Sequence, residues 1–500
     1  ARAAGRAAWR RVTRAALAHP ASLNLALDRL PDSLLGGCTL VLAFEGRPEV
    51  VEAEERVALD LLSASARDAG PEPALAWFRR RYAISYRQSP TFAAGGFNDT
   101  MEVAATWDRL MDVYAAVRRA IGRKVLVMAH FSHAYHEGCS IYFTFAGSAP
   151  SDAEALETYD EVWSAGLAAV IEAGGVISHH HGVGMSKLAA MEGEYGGALE
   201  IARAMKRALD PSGMLNPGKL FDPREHPVAG QAPSTTTTST VGALHACLER
   251  AVPGGVAAEG DPPMFVVTPG DAYELAACLR IACERRVPVV ARSETAQARL
   301  PEGQVAVVLS LERMQAVRRI CEESLTVHAE AGIRVRALEE RLAEHALSLG
   351  YPLLPDAAPK LGGLLGGRGW GEGSAALGSF EEACVGLEAV LPRGEAIRIK
   401  PSPRRAAGPD MMQALVGAEG AFGVITGAIL RVYRAPRARR IVGAWFGDAR
   451  GAVACLAGML ADSFRPAAAR VVRPGPAWGT TSGDGEAALV LAFEGEARLV

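Results

Sequence analysis

The sequence lacks several things that would narrow its class at once. No uninterrupted apolar run reaches about 18 residues, so a membrane-spanning helix is not expected. The formal net charge is only −3, so there is no broad basic surface and nucleic acid is not an expected partner. Aromatic residues make up 6% of the chain. The eight cysteines are scattered and none forms a CxxC pair, which argues against a zinc ribbon or a disulfide framework and reads as reduced thiols of a cytoplasmic protein. Peripheral membrane contact is left open. The Arg-rich start, ARAAGRAAWRRVTRAALAHP, has the composition of a transit peptide. The missing initiator Met, together with the repeat described below, reads it instead as an amphipathic helix interior to a truncated module.

What is present is enough chain, 500 residues, for two to four domains. Residues 1–225 read as an α+β unit. A strand TLVLAFE (39–45) precedes a Glu- and Ala-rich helix, residues 82–98 read as a loop, and a helix is expected over 102–121. Two strands, KVLVMAHFSHAY and CSIYFTFAG, follow as a pair, then helices over 151–174 and 186–208, ending at LDPSGMLNPGKLF. Residues 226–240 fall in a Pro/Ser/Thr-rich linker. Over 241–440, strands alternate with helices, and a glycine-dense stretch, LGGLLGGRGWGEGSAALG, spans 361–378. Residues 441–500 look like the start of the first segment again. The string VLAFEG stands at Val41–Gly46 and at Val490–Gly495, with Pro20-Ala21 before the first copy and Pro466-Ala467 before the second. This predicts a repeat, with 441–500 opening a second cap domain; a circular permutation of one module is the rival.

Several residues carry chemistry by type and setting. HHHGVG (179–184) puts three imidazoles, His179, His180 and His181, before two glycines; adjacent rings alternate in direction, so one or two face a site, and a neutral imidazole suits proton abstraction beside a carbonyl. Tyr142 lies on an apolar strand, where a phenol near a base can pass a proton. Arg87 can grip a phosphate or carboxylate bidentately, with Arg79, Arg80 and Arg81 as rivals. His130, His133 and His136 recur every third residue, but on a strand such positions point to opposite faces, so no metal site is expected from them.

Two sets of motifs are similar to one superfamily. VLSLERM, LTVHAEAGIRVRALEERLAEHALSLGYPLLPD and GPDMMQALVGAEGAFGVITGAILRV resemble the PCMH-type flavin-binding domain of the vanillyl-alcohol oxidase superfamily. DTMEVAATWDRL, HFSHAYHEGCSIYFTFAG, SHHHGVGMSK and LDPSGMLNPGKLF resemble its cap and C-terminal part, most closely alkylglycerone-phosphate synthase and its bacterial relatives. The resemblance implies an α+β fold: a cap with an antiparallel sheet and flanking helices, plus a two-subdomain α/β domain that binds FAD. It implies that Tyr142, His179, His180 and His181 are catalytic, that Arg87 binds substrate, and that Pro355, Asp356, Gly362, Gly363, Ala418, Glu419, Gly420, Ala421, Phe422, Gly423 and Val424 contact the cofactor. The implied reaction exchanges the acyl group of acyl-dihydroxyacetone phosphate for a fatty alcohol; oxidation of a D-2-hydroxy acid and a non-catalytic tandem module are the alternatives. The implied partners are a small-molecule or lipid substrate and a second copy of the chain in a homodimer.

One departure stands out. The superfamily carries a PxGGGTS loop against the pyrophosphate, because amides without a Cβ approach it closely. Here that place reads Val290-Ala291-Arg292-Ser293-Glu294-Thr295. A carboxylate about 4 Å from a phosphate charge costs roughly 4 kcal/mol at an effective dielectric of 20. The flavin domain of 241–440 is therefore expected to have a degenerate phosphate grip.

Overall fold

The structure is a computed structural model. It describes residues 15–29, 38–45, 48–63, 95–221, 238–260, 263–292, 305–351, 359–369, 374–403, 409–436, 439–462, 466–472 and 489–494, with a few isolated neighbours. Along the chain come α1 (Pro20–Arg29), β1 (Cys38–Glu45), α2 (Pro48–Ser63), β2 (Arg67–Asp68), β3 (Gly96–Thr106), α3 (Trp107–Ile121), β4 (Leu126–Ala134), β5 (Gly138–Ser148), α4 (Asp152–Glu172), α5 (Leu199–Leu209), α6 (Thr238–Ala251), β6 (Val256–Glu259), β7 (Met264–Val267), α7 (Ala272–Arg285), β8 (Val289–Ala291) and β9 (Ala306–Leu309). They continue with β10 (Val317–Cys321), β11 (Thr326–Glu330), α8 (Val335–Ala343), α9 (Leu361–Gly366), β12 (Cys384–Val390), β13 (Ala396–Ile399), β14 (Val424–Arg431), β15 (Arg439–Phe446), α10 (Ala449–Ala461), β16 (Pro466–Val472) and β17 (Leu489–Glu494). The fold is α+β, as expected. The chain forms two compact units, the first from Ala1–His179, Gly371–Gly378 and Pro436–Val500, the second from His180–Trp370 and Ser379–Ala435. These units do not follow the expected boundaries near 225 and 440: His180 onward groups with the second unit, and Pro436–Val500 with the first. The substrate-binding candidate Arg87 and its rivals Arg79, Arg80 and Arg81 lie outside the described residues.

The first unit is an eight-stranded sheet in the order β2-β15-β1-β17-β16-β4-β5-β3. Strands β15, β16 and β17 of the region expected to open a second cap domain lie in the same sheet as β1. The two VLAFE copies lie side by side in parallel, Val41 opposite Val490 and Phe44 opposite Phe493. Helix α3 buries Leu110, Val113, Val117 and Ile121, spaced three and four apart as one helical face requires. It begins at Trp107, not at 102, because the alternating NDTMEVAAT pairs along β5 from Gly96 to Thr106. Such alternation is a strand period, and the ladder holds it in that form. Helix α4 opens with a capping box between Ser151 and Glu154, which satisfies two otherwise orphaned amides. The helix expected over 186–208 is broken into short helical turns before α5, with Gly196 and Gly197 in the last of them.

Glu54 on α2 is half-buried, and burial pushes its carboxyl up to about 7. The folded state then keeps a proton that the unfolded chain releases above its ordinary value of 4.5. Stability of the first unit is therefore expected to fall as pH rises from about 4.5 toward 7. Thermal melts at pH 5 and pH 8 check this: Glu54→Gln should narrow the difference between them.

Among its described residues the second unit holds a two-stranded pairing of Leu347–Ser348 with Tyr433–Arg434 and two larger sheets. One is four-stranded, in the order β6-β7-β9-β8, with β7, β9 and β8 parallel and α7 as the crossover between β7 and β8. Asp271 caps α7 by accepting from the amides of Tyr273 and Glu274. The other is five-stranded and antiparallel, in the order β10-β11-β14-β12-β13. Phe265, Val267, Leu275, Leu279, Val289, Val307 and Leu309 form a core around the parallel strands. No helix among the described residues is long and apolar enough to cross a membrane.

Candidate active site

The first unit concentrates polar side chains on one face of its β4-β5-β3 edge. Cross-strand register sets Glu102 of β3 opposite Tyr142 of β5, and Tyr142 opposite His130 of β4. The alternate residues Met101, Val103, Phe131, Ile141, Phe143 and Phe145 are buried on the other face. Period two thus places one row of chemistry above an apolar layer. An isolated bridge then extends the edge: the Val176 amide donates to Ala104 O at 2.8 Å and the Ala104 amide to Val176 O at 3.2 Å. That bridge carries His179 alongside Glu102.

Glu102 is fully buried. Its Oε2 accepts from the His179 amide at 2.9 Å, and its Oε1 stands 3.1 Å from His179 Nδ1. A buried carboxylate needs such a partner. With Nδ1 facing the carboxylate, Nε2 is the ring nitrogen turned away from Glu102. Nε2 lies 2.7 Å from the Tyr135 hydroxyl. The result is a Glu102–His179–Tyr135 chain. Tyr135 is itself fixed, since its amide donates to Gly138 O and Trp107 Nε1 donates to the Tyr135 and His136 carbonyls.

Tyr142 joins this chain through His133. Its hydroxyl is 3.3 Å from His133 Nε2, and the His133 ring stacks 5.4 Å from that of His179. His130 stacks on Tyr142 at 4.5 Å and meets Arg470 of β16, whose Nη2 is 2.9 Å from His130 Nε2. The expectation that His130 and His133 face opposite sides is corrected here. The β4–β5 register shifts between Ser132 and Ala134, and His133 takes a φ of 51°. A bulge inserts one residue, breaks the period of two and re-aims His133 onto the face that His130 occupies.

Of the residues expected to be catalytic, Tyr142 and His179 belong to this cluster. His180 and His181 pack edge to face with rings 4.7 Å apart. Sequence reasoning missed Glu102, Tyr135 and His133 as members of the site. Glu102 had a signal: a lone carboxylate in an alternating strand, flanked by Met101 and Val103.

In the second unit, the carboxylate of Glu419 is received by the amides of Val183 and Gly184, the latter 3.1 Å from both oxygens. Lys219 Nζ is 3.6 Å from it. Gly182 and Gly184 have φ values of 74° and 54°, so successive amides converge as an anion nest. Of the residues expected to contact FAD, the amides of Ala418, Glu419 and Ala421 donate to Leu415, Gly366 and Ala418 carbonyls. Gly420 is needed for a close approach within the chain, because a Cβ there would come 2.2 Å from Asn216 Nδ2. Asn216 in turn accepts from the Ala291 amide and donates to Glu419 O. Gly362 is pinned by its amide to Ala331 O, whereas Gly363 and Gly366 have nothing within 4 Å of where a Cβ would stand. Bare backbone facing open space at Gly363 and Gly366 fits a flat cofactor lying close to α9. Pro355, Asp356 and the Ser293–Thr295 stretch of the altered phosphate loop lie outside the described residues.

Residues 3–220 match the family described as FAD linked oxidases, C-terminal domain, and residues 263–400 match FAD binding domain. The uncharacterized FAD-linked oxidoreductase YgcU of Escherichia coli is 32% identical over 197 residues, which cover 39% of this chain and 41% of that protein. An alkyldihydroxyacetonephosphate synthase of Trypanosoma brucei brucei is 27% identical over 206 residues, 39% of this chain and 33% of the relative. A mitochondrial D-lactate dehydrogenase (cytochrome) of Arabidopsis thaliana is 32% identical over 180 residues, 35% and 31% respectively. The chain spans less than half the length of each of these relatives.

Proposed function

This chain carries the two domains of the FAD-linked oxidoreductases, the C-terminal oxidase domain and a FAD-binding domain, and from that premise we propose that it removes a proton from the carbon beside a substrate oxygen, with His179 as the base. The observation that carries the reading is the Glu102–His179–Tyr135 chain. A buried carboxylate holds one imidazole nitrogen protonated and orients the ring, leaving the other to accept. Tyr142, held between His130 and His133, is the second proton carrier and returns a proton to a substrate oxygen. Gly362, Gly363 and the Ala418–Val424 turn hold FAD, which when bound supplies an electron-accepting ring. The proton taken from carbon resides on His179 and is shared with Tyr135.

The finer reading is an exchange like that of the synthase relatives: acyl-dihydroxyacetone phosphate and a fatty alcohol give alkyl-dihydroxyacetone phosphate and a fatty acid. The acyloxy bond breaks, the alkoxy bond forms, and there is no net oxidation. Arg87 would grip the phosphate. The dehydrogenase relative supports oxidation of a D-2-hydroxy acid as the second reading, with the same base. The test is incubation of the purified chain and FAD with palmitoyl-dihydroxyacetone phosphate and hexadecanol, beside a parallel assay with D-lactate and a dye acceptor. Fatty acid release dependent on hexadecanol supports the exchange, and dye reduction supports the dehydrogenase. Absence of both sinks the catalytic reading and leaves the non-catalytic module.

A further inference from the structure

The five-stranded sheet of the second unit has two unlike faces. One buries Val327, Ala329, Leu387, Ala389, Ala428 and Leu430. The other bears a groove of about 510 Å³. The strand register orders what lines it. Arg319, His328 and Ile429 form one row across β10, β11 and β14, and Cys321, Thr326 and Arg431 form the next. A third row, Glu330, Gly427, Glu388 and Arg398, lies beside them.

The charges on this face do not balance. Glu330 and Glu388 are both taken by Arg318, at 2.9 and 3.0 Å. Glu388 also meets Arg398 at 3.5 Å and His328 at 3.4 Å. Arg319 and Arg431, on the strands either side of β11, line the groove with no carboxylate partner among the described residues. Arg319 and Arg431 carry like charge on the two strands that flank β11, and an anion between them would be attracted by both. The floor between them is apolar, with Ile429 and Val385, and Pro401 stands at its side. Thr326 and Ser402 supply hydroxyl donors.

We propose that this groove is a binding site for an organic acid with an apolar body, its carboxylate or phosphate head held by Arg319 and Arg431 and its hydrocarbon laid on Ile429 and Val385. Guanidinium forks match both head groups. The site stands on the outer face of its own sheet and does not depend on the proton-transfer reading above.

The experiment is calorimetric titration of the full chain with octanoate and with octyl phosphate, and with octanol as the neutral probe. The double variant Arg319→Gln/Arg431→Gln removes only exposed charge. One acid or both should bind the wild-type chain, and at least tenfold more weakly to the double variant; which of them binds more tightly identifies the head group. Octanol should bind both proteins alike. Alkylation of Cys321, which lines the groove, gives a second readout on the unaltered protein. The bound acid should slow iodoacetamide at Cys321 at least threefold while Cys247, Cys283 and Cys455 react as before. No binding of either acid at millimolar concentration overturns the proposal, as does equal affinity in the double variant or unprotected Cys321 under saturating acid.

Discussion

Glu102→Gln is expected to lower turnover by about 100-fold or more, the range that a positioned acid–base group contributes. That corresponds to about 2.7 kcal/mol of transition-state stabilisation at 1.36 kcal/mol per tenfold. The amide is nearly the same shape, so packing beneath β3 should survive. What is lost is a carboxyl oxygen facing His179 Nδ1 at 3.1 Å, on the group that also accepts from the His179 amide at 2.9 Å. A carboxamide can present its NH₂ toward Nδ1 and favour the opposite tautomer, which would put a proton on the nitrogen that must accept one. A split between kinetic constants separates this from simple damage. The kcat should fall while KM moves less than about threefold, since Glu102 contacts the base and not the substrate. Glu102→Asp should recover part of the loss. Equal kcat for the Gln variant and wild type, measured in whichever assay is active, would remove Glu102 and with it the assignment of His179.

The second large effect concerns the fold. Lys206 on α5 is 3% exposed and donates to Asp210 Oδ2 at 2.7 Å, to Leu215 O at 2.8 Å and to Ala421 O at 2.9 Å. Burial pulls its pKa below the ordinary lysine value, with Asp210 acting in the opposite direction. Asp210 spends its other capacity on the amides of Met214 and Leu215. One ammonium thus ties α5 to the loop after it and to the Ala418–Val424 turn. Lys206→Met strands a fully buried carboxylate, and breaking a buried pair from one side costs about 3–5 kcal/mol. Denaturant unfolding should show a free energy of unfolding lower by that amount, with the midpoint shifted down accordingly. The double variant Lys206→Met/Asp210→Asn should be more stable than Lys206→Met alone, because no buried charge is left over. If the double variant is no better than the single, the ion pair is not the cause.

Much of the fold could be read from local pattern. The α3 stripe, the capping box at Ser151, the β4–β5 pair and the strand–helix alternation after Val241 all follow from contacts between near neighbours. The superfamily was legible as well, because HHHGVG and GAEGAFG are contiguous strings whose glycines have local backbone reasons. The assignments that shifted were those settled by non-local pairing. Residues 102–106 read as helix until β5 is placed beside them. His130 and His133 read as opposed until the bulge is counted. Strands β15, β16 and β17 read as the opening of a repeat, and only the pairing sets them in one sheet with β1.

The amino-acid sequence alone determined which domain types this protein carries, because periodicity, capping and glycine placement act over a few residues and do not wait for the rest of the chain. Only the tertiary structure decided which histidine has a carboxylate behind it and where that carboxylate comes from. Glu102 and His179 are far apart along the chain, and an isolated bridge between Ala104 and Val176 brings them within hydrogen-bonding distance. Burial then makes the pairing matter, since a carboxyl group removed from water must be matched by whatever the fold sets against it.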